Sequence, residues 1–446
     1  MTDTIFAPAT AAGRAAVAVI RVSGPGSRRV LRRLAKRLPR PRVATLVSLS
    51  DLHGLMIDRA LVIWFPAPGS YTGEDCVELH VHGGSAIVDA TILALLELGA
   101  RLATPGEFTR RAFENGKLDL GQAEAVGDLI DAETRAQAQQ ALKQLAGALG
   151  RRYEGWRSLL IGALAYLEAG VDFPDEEVPP QVTLAARRSL EVLEHEIELA
   201  LDDRARGQRV REGYRLAIIG ATNAGKSSLL NTLAGRDAAI VTPVAGATRD
   251  VIEINMVLSG YKIVVADMAG IRTAEDAVEA EGVRRAVAWA EAADLRLWVV
   301  DASLGDGSWR QASSLLRPRD ICILNKDDLP EGEDGASARH HAYLVGADVM
   351  PECLLHGRSK SVLDYLARRV VAELSGSEFP AATRARHAAL LGEARDHVGR
   401  ALAALGDPEL AAEDVRLAVR SLSRITGNVG AEDVLDRVFA TFCIGK

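Results

Sequence analysis

The loop Gly220-Ala221-Thr222-Asn223-Ala224-Gly225-Lys226-Ser227-Ser228 stands directly after the apolar run Leu216-Ala217-Ile218-Ile219 and before a helical pattern over 227–234. A strand feeding a glycine loop that opens a helix is an anion site, because loop amides and the helix N-terminus aim their N–H groups at one point. In that frame Asn223, Ala224, Gly225, Lys226, Ser227 and Ser228 wrap the phosphates of a nucleoside triphosphate, with Lys226 on the β- and γ-phosphates and the Ser227 hydroxyl on Mg²⁺. A second apolar run, Ile321-Cys322-Ile323-Leu324, ends in Asn325-Lys326-Asp327-Asp328. Guanine carries two adjacent N–H donors that one carboxylate accepts together, whereas adenine offers no matching pair. Asp328 is therefore the base-selecting candidate, Asn325 a brace, and the Lys326 stem a surface for the base.

Between these two motifs the alternating run Lys262-Ile263-Val264-Val265-Ala266 leads to Asp267-Met268-Ala269-Gly270. Asp267 would hold Mg²⁺ through water, and the Gly270 amide would sense the γ-phosphate, the loop after it changing order when that phosphate leaves. Met268 occupies a place where GTPases of this type usually carry Thr, which leaves the loop's geometry open. Upstream, Gly246-Ala247-Thr248-Arg249-Asp250 supplies a switch threonine, Thr248, for the Mg²⁺ shell. Arg249 and Arg272, beside the two switch motifs, join the catalytic candidates. Four ordered motifs on alternating strands and helices define a Ras-like P-loop GTPase domain with a mostly parallel α/β sheet.

A loop and its strands must be carried by something, and 446 residues are too many for one core. At 48% hydrophobic and 25% charged the composition is that of an ordinary globular protein. Its longest apolar runs are strand-sized, well short of the ~20 residues that span a bilayer, and Met1-Thr2-Asp3-Thr4 opens no basic and apolar leader. No membrane association and a cytoplasmic location are the expectations. Cys76, Cys322, Cys353 and Cys443 are scattered without C-x-x-C spacing, which speaks against a disulfide framework or a zinc site. Cys322 reads as core. His80 and His82 share a strand face, but no third metal ligand accompanies them.

The formal charge of −7 argues against nucleic-acid binding by the whole surface. One stretch departs from it: Arg28, Arg29, Arg32, Arg33, Lys36, Arg37, Arg40 and Arg42. The 28/32/36 and 29/33/37 spacings place two stripes on one predicted helix. Such a run is either a solvated helix face or a contact for RNA phosphates.

Along the chain, residues 1–117 read as an α+β domain with strands at 16–22, 60–65 and 76–82 and helices at 27–37 and 86–98. A helical domain begins at 118–210, with apolar residues at helical period through 123–149, 153–169 and 184–201. The GTPase domain occupies 211–377, closing with a helix at 361–374. Helices resume over 378–446, at 383–405, 408–425 and 431–439. Helix on both sides of an α/β module suggests that the module is inserted into a single helical domain, where a nucleotide-dependent change could push on its host.

With these elements in place, the chain resembles the MnmE (TrmE) family of bacterial tRNA-modification GTPases over essentially its whole length. The stretches that carry the resemblance are Asp3-Thr4-Ile5-Phe6-Ala7 with Val19-Ile20-Arg21-Val22-Ser23-Gly24, Tyr71-Thr72-Gly73-Glu74-Asp75, His82-Gly83-Gly84, Pro105-Gly106-Glu107-Phe108 and Lys117-Leu118-Asp119-Leu120. Asp172-Phe173-Pro174-Asp175-Glu176-Glu177 and the closing Phe442-Cys443-Ile444-Gly445-Lys446 complete the set.

The resemblance implies a dimerising N-terminal domain that binds 5-formyl- or methylene-tetrahydrofolate, a split helical bundle and the inserted GTPase module. It implies a homodimer working with the flavoprotein MnmG (GidA) in a heterotetramer or larger assembly, FAD entering only through that partner. Together they place an aminomethyl or carboxymethylaminomethyl group at C5 of the wobble uridine (U34) of certain tRNAs. By matched position Arg21, Glu78, Lys117 and Lys446 are implied folate contacts, cations for the anionic tail and a carboxylate for pterin N–H donors.

The resemblance also implies that K⁺ replaces an arginine finger when two GTPase domains meet. Asn223 with the backbone oxygens of Thr242, Val244 and Ala247 would hold the ion. Glu279 would orient the attacking water through a second water, and Cys443 is a candidate thiol of unsettled chemistry. The family's Ser-Ala turn at guanine O6 has no counterpart near 355–360, so weaker nucleotide affinity is expected. The alternative from another class is a GTP-dependent RNA-binding switch in ribosome assembly, against which the folate motifs and the C-terminal Phe-Cys-Ile-Gly-Lys stand.

Overall fold

The computed structural model describes residues 3–172, 180–234, 252–268, 277–354, 360–376, 379–427, 429, 435, 438–439, 442 and 445. Its contacts divide the chain into two compact units, one made of Met1–Ile130, Ala141–Ile197 and Ala389–Lys446, the other of Asp131–Gln140 and Glu198–Ala388. Each unit contains one six-stranded sheet.

In the first unit the strands are β1 (Ile5–Pro8), β2 (Val17–Ser23), β3 (Thr45–Ser50), β4 (Met56–Phe65), β5 (Cys76–His82) and β6 (Arg101–Leu102). They lie in the order β3-β4-β5-β2-β1-β6, antiparallel except for the β1/β6 pair. Side chains alternate between faces. Ala18, Ile20 and Val22 of β2 and Val77, Leu79 and Val81 of β5 share a buried cluster with Val30, Leu31 and Leu34 of the helix Ser27–Ala35 and with Ala94 and Leu95 of the helix Ser85–Glu97. The opposite face receives the alternate residues, and the β2/β5 register sets Arg21 directly across from Glu78.

Two sequence expectations change here. The basic helix stops at Ala35 because Lys36 turns into the left-handed region at φ 58°, so Lys36 and Arg37 leave the stripes formed by Arg28/Arg32 and Arg29/Arg33. The helix expected over 123–149 is two helices, Leu120–Ile130 and Arg135–Leu145. At the break Gln137 Oε1 accepts from the amides of Glu133 and Thr134, both at 3.0 Å, a local cap that competes with a continuous helix. The short strands β1, β3 and β6 and the helix Glu107–Glu114 were not expected from the pattern.

The helical part of this unit brings distant sequence together. Helix Pro408–Thr426 packs along Ala148–Asp172, with Val415, Ala418 and Leu422 on one side and Tyr153, Leu160 and Leu167 on the other fully or almost fully buried. Asp407 caps the former by accepting from the Leu410 amide, with Pro408 at the first turn.

The second unit carries β7 (Tyr214–Ile219), β8 (Ile252–Leu258), β9 (Tyr261–Asp267), β10 (Leu295–Asp301), β11 (Ile321–Asn325) and β12 (Asp348–Glu352). Their order is β12-β11-β10-β7-β9-β8, all parallel except β8. Every residue of β10 and β11 is buried, because a parallel sheet is covered on both faces, so most of their residues are apolar, and Arg296 within β10 is neutralised by the buried Asp320. One face packs Leu216, Ile218, Leu229 and Val265, the other Ala217, Ile219, Trp298, Cys322 and Leu324. Burial pushes the Cys322 thiol up to about 12, in keeping with a core position. In such sheets ligands sit beyond the carboxyl ends of the strands. Those ends are side by side here, Ile218 across from Asp267 and Asp301 across from Asn325. Among the described residues no helix is long and apolar enough to cross a membrane.

Candidate functional site

Strand β7 delivers the chain into the glycine loop, and helix Lys226–Ala234 begins at its lysine. Gly220 adopts φ 140°, and a Cβ there would come 2.2 Å from the Val299 carbonyl oxygen. Gly225 adopts φ 110°, and a Cβ there would lie 2.2 Å from Asn325 Nδ2. Both positions therefore require glycine. Asn223 takes the left-handed conformation at φ 64° with its side chain exposed, and Ser227 is exposed at the helix start while Ala224 is buried.

The Lys226 ammonium is 7% exposed and donates to the carbonyls of Gly220, at 3.0 Å, and Ala221, at 2.7 Å. Burial lowers its pKa, a tendency the nearby Asp267 carboxylate opposes. Asp267, at the end of β9, answers in the opposite sense: burial raises its pKa and Lys226 holds it down. Its Oδ1 is buried with no hydrogen-bond partner among the described residues. A buried, unsatisfied carboxylate oxygen near the lysine that opens a helix suits a hard divalent cation.

At the end of β11, Asn325 ties the site together. Its Nδ2 donates to the Ala224 carbonyl at 2.8 Å and its Oδ1 accepts from the Leu354 amide at 3.1 Å, joining the glycine loop to the segment after β12. Lys326 sits in the left-handed region at φ 65° and its ammonium is paired with Asp301 at the end of β10. Burial raises the Asp301 pKa, but hydrogen bonds from Lys326 and Ser303 outweigh it and leave the group below its ordinary value. Asp328 is exposed on the turn that follows β11.

Sequence reasoning did not single out Asp301 or the Leu354 amide. Asp301 had a signal, a carboxylate closing an apolar strand, where burial demands a cationic partner. Met268 is fully buried within the core cluster that contains Trp298, and its amide donates to the Ile218 carbonyl at 3.1 Å. Its side chain is packing rather than part of the loop surface. Thr242, Val244, Ala247, Thr248, Arg249, Gly270, Arg272, Cys443 and Lys446 lie outside the described residues, as do the 355–359 segment and the side chain of Glu279.

The first unit has a polar face of its own. Arg21 Nη2 donates to Glu78 Oε1 at 2.9 Å across the β2/β5 ladder. The guanidinium lies 5.5 Å from the centre of the Tyr71 ring and 5.9 Å from that of Phe108, distances at which cation–π attraction operates. Tyr71 is held by a 2.8 Å hydrogen bond between its hydroxyl and that of Thr109. Lys117 donates to the Pro68 carbonyl at 3.0 Å, and its stem runs past Gly73, where an added Cβ would meet its Cγ at 3.3 Å. Arg21, Glu78 and Lys117 are thus gathered around the loop that bears Tyr71. Gly445, next to the terminal residue, lies against the Pro8 carbonyl.

Beneath this face is a buried ion network. Arg111, 1% exposed, donates to Asp3 at 2.8 Å, Glu107 at 2.9 Å and Glu74 at 3.2 Å, and Glu74 in turn accepts from Ser23 at 2.7 Å. Burial opposes the ionisation of Glu107, yet Arg101, the Thr104 amide and Arg111 push its carboxyl down to about 2. The network clamps the Tyr71–Asp75 segment to the helix Glu107–Glu114, which is how two sequence stretches about thirty residues apart form one surface. Tyr71, Phe108 and Arg111 were not nominated from sequence, since nothing in their spacing shows that they converge. His82 is occupied by Asp58, 2.8 Å from its Nδ1, and among the described residues no group of three metal-ligating side chains occurs.

A glycine loop after the first central parallel strand, a lysine and a carboxylate at its mouth, and an Asn-Lys-x-Asp turn two strands over define a P-loop GTP-binding protein. Family models place the protein more narrowly: that of the GTP-binding protein TrmE N-terminus matches residues 4–117, and that of the MnmE helical domain matches residues 120–443. The chain is 57% identical over 450 residues to the tRNA modification GTPase MnmE of Phenylobacterium zucineum and 58% identical over 451 residues to that of Caulobacter vibrioides, with 100% of each chain covered in both cases. The chain belongs to the MnmE (TrmE) family of tRNA modification GTPases. Among solved structures, it is similar to the G domain of the T. maritima FeoB iron transporter over 36% of this chain and 99% of that one, at 21% identity and a TM-score of 0.28, too low to carry an argument.

Proposed function

We propose that this GTPase, with a flavin-dependent partner of the MnmG kind, installs an aminomethyl or carboxymethylaminomethyl group at C5 of the wobble uridine of certain tRNAs, drawing a one-carbon unit from a tetrahydrofolate. The observation that carries the proposal is the full-length correspondence with MnmE relatives, without a gap in coverage on either side. The two polar centres described above give it chemistry.

In the GTPase centre, water attacks the γ-phosphorus as the bond to the β–γ bridging oxygen breaks, and negative charge grows on the leaving diphosphate. Lys226 is placed to neutralise that charge once it leaves the Gly220 and Ala221 carbonyls. Asp267, Ser227 and Thr248 would hold Mg²⁺, and the unsatisfied Oδ1 of Asp267 fits that role. Asn223, Thr242, Val244 and Ala247 would hold K⁺ when two GTPase domains of a homodimer meet, and the ion would supply positive charge to offset the negative charge that develops during hydrolysis. Glu279 would orient the attacking water, Arg249 and Arg272 remain catalytic candidates, and Asp328 is the selector of guanine.

In the other centre, a flat pterin with N–H donors suits the Glu78 carboxylate and the Tyr71 and Phe108 rings, and Arg21, Lys117 and Lys446 suit an anionic tail. When bound, the folate supplies the one-carbon unit; Cys443 is a candidate catalytic thiol of unsettled chemistry.

Mass analysis of tRNA from a strain lacking this gene tests the whole reading: wobble uridines without the C5 substituent are expected, restored by the wild-type gene. An unchanged C5 modification would discard it. Hydrolysis faster in K⁺ than in Na⁺ at equal ionic strength is expected, and equal rates would remove the potassium step alone.

A further inference from the structure

Between Asp3 and Asp51 the chain has ten basic residues and no acidic one. Because the whole chain carries a formal charge of −7, the rest of the chain taken together is acidic and this stretch departs from it. The fold sorts the stretch in two. The apolar face of the helix Ser27–Ala35 is spent in the core through Val30, Leu31 and Leu34, leaving Arg28, Arg29, Arg32 and Arg33 exposed. Past the left-handed turn at Lys36, Lys36 and Arg37 instead line a depression with Arg59 of β4.

Two depressions result. One, of about 410 Å³, is lined by Pro25 and the four arginines. The other, of about 380 Å³, is lined by Lys36, Arg37 and Arg59 among others, with the hydroxyl residues Ser48 and Ser50. No ion pair joins any of these seven cations to a carboxylate among the described residues. What holds them is neutral: Arg28 lies 5.6 Å from the Trp64 ring centre, Arg29 reaches the Leu98 carbonyl at 3.4 Å, and Arg37 donates to the Leu46 carbonyl at 3.0 Å. A face kept only for solubility gains from interspersed carboxylates, which relieve repulsion between like charges four residues apart. This face forgoes them.

We propose that this surface, the arginine face of Ser27–Ala35 continued by Lys36, Arg37 and Arg59, grips the phosphate backbone of the RNA substrate. The inference rests on the reading that tRNA is that substrate. Successive arginines at i and i+4 rise ~6 Å along the helix, comparable to the step between neighbouring phosphates of one strand. Guanidinium forks bond phosphate oxygens in pairs. Such contacts position the RNA without reading its sequence. Affinity through this surface is therefore strongly salt-dependent and indifferent to which tRNA is bound.

The test compares Arg28→Glu/Arg32→Glu with Arg187→Glu/Arg188→Glu, an equal charge reversal on an exposed part of helix Pro180–Asp202. Binding of unmodified tRNA transcript is measured from low to high salt on the full chain, with helicity by circular dichroism and GTP hydrolysis without tRNA as checks on folding. The first variant is expected to lose affinity on the order of tenfold and to flatten the slope of log K against log salt by ~1.5, with hydrolysis unchanged. The control should change neither by a comparable amount. Equal affinity and slope in the two variants overturn the proposal, as does wild-type binding to anionic lipid vesicles or to an acidic peptide with none to tRNA. The outcomes separate from those of the functional reading. Loss of binding in the first variant, from a wild type that never modifies wobble uridine, supports the surface and removes the reading. A wild type that modifies uridine while both variants bind tRNA equally removes the surface and leaves the reading standing.

Discussion

The two six-stranded sheets of this chain put their chemistry in different places. In the parallel sheet of the second unit, Lys226, Asp267, Asp301 and Asn325 all sit at or just beyond the carboxyl ends of strands whose bodies are buried on both faces. In the largely antiparallel sheet of the first unit, Arg21 and Glu78 stand in the middle of strands, on the face opposite the helices Ser27–Ala35 and Ser85–Glu97. The difference follows from burial. A strand covered on both sides can present polar groups only at its ends, whereas a strand covered on one side presents every second residue. A ligand of the first kind is held by loops and amides; one of the second kind lies on a patterned surface.

Given that division, damage to one site should spare the other. The largest expected effect is on the first unit. Arg111→Met leaves Glu74 and Glu107 facing each other with less compensation at a buried position, and the loss of a buried ion-pair partner costs ~3–5 kcal/mol. Urea unfolding followed by near-ultraviolet circular dichroism should show an early transition, while titration with a fluorescent GTP analogue should match wild type. Loss of nucleotide affinity in this variant would show that the two sites are not separable.

Lys226→Ala is the converse. Removing the charge-assisted bonds to phosphate should weaken GTP binding by ~3 kcal/mol, roughly a hundredfold or more. The first transition in urea should not move. A variant that binds the analogue normally would remove Lys226 from the phosphate site.

Asp328→Asn sharpens the comparison at the level of one base edge. The amide oxygen accepts less strongly and its NH₂ opposes the guanine donors, so GTP affinity should fall by ~2 kcal/mol, with xanthosine triphosphate now preferred, since its O2 accepts where guanine donates. Unchanged competition between the two nucleotides would dismiss Asp328 as the selector.

The smallest effect is a difference in sign. Glu107 has its folded pKa depressed to about 2 from an ordinary 4.5, so its contribution to stability is present above pH 4.5 and is lost as pH falls towards 2. Asp267 has its folded pKa raised, so its ionisation opposes folding and acidification relieves it. Urea midpoints between pH 7 and pH 3 should therefore fall less steeply in Glu107→Gln than in wild type, and more steeply in Asp267→Asn. Parallel curves for the two variants would erase the contrast.

Much of the second unit is legible in the amino-acid sequence. The strands ending at Ile219, Asp267 and Asn325 and the helix after the glycine loop stand within a residue or so of their expected places, because a buried parallel strand is a contiguous apolar run and the residues that follow it are its site. The first unit was legible in part. The helices Ser27–Ala35 and Ser85–Glu97 and strand β5 were visible in their periodicity, but β1, β3 and β6 are short and carry too few residues for an alternating pattern to emerge. The break at residues 131–134 was hidden because the apolar period continues across it, and only the Gln137 side chain reveals the cap.

The amino-acid order alone determined the nucleotide loop, the Asn-Lys-x-Asp turn and the cationic stretch before Asp51, since each is a local string whose chemistry survives without a partner. Tertiary structure alone decided that Glu78 faces Arg21, that Asp301 holds Lys326, that Met268 belongs to the core, and that Arg111 gathers Asp3, Glu74 and Glu107. Those pairings depend on strand register and on burial. Both are settled by which apolar faces can be covered at once, a property of the whole fold that no local string records.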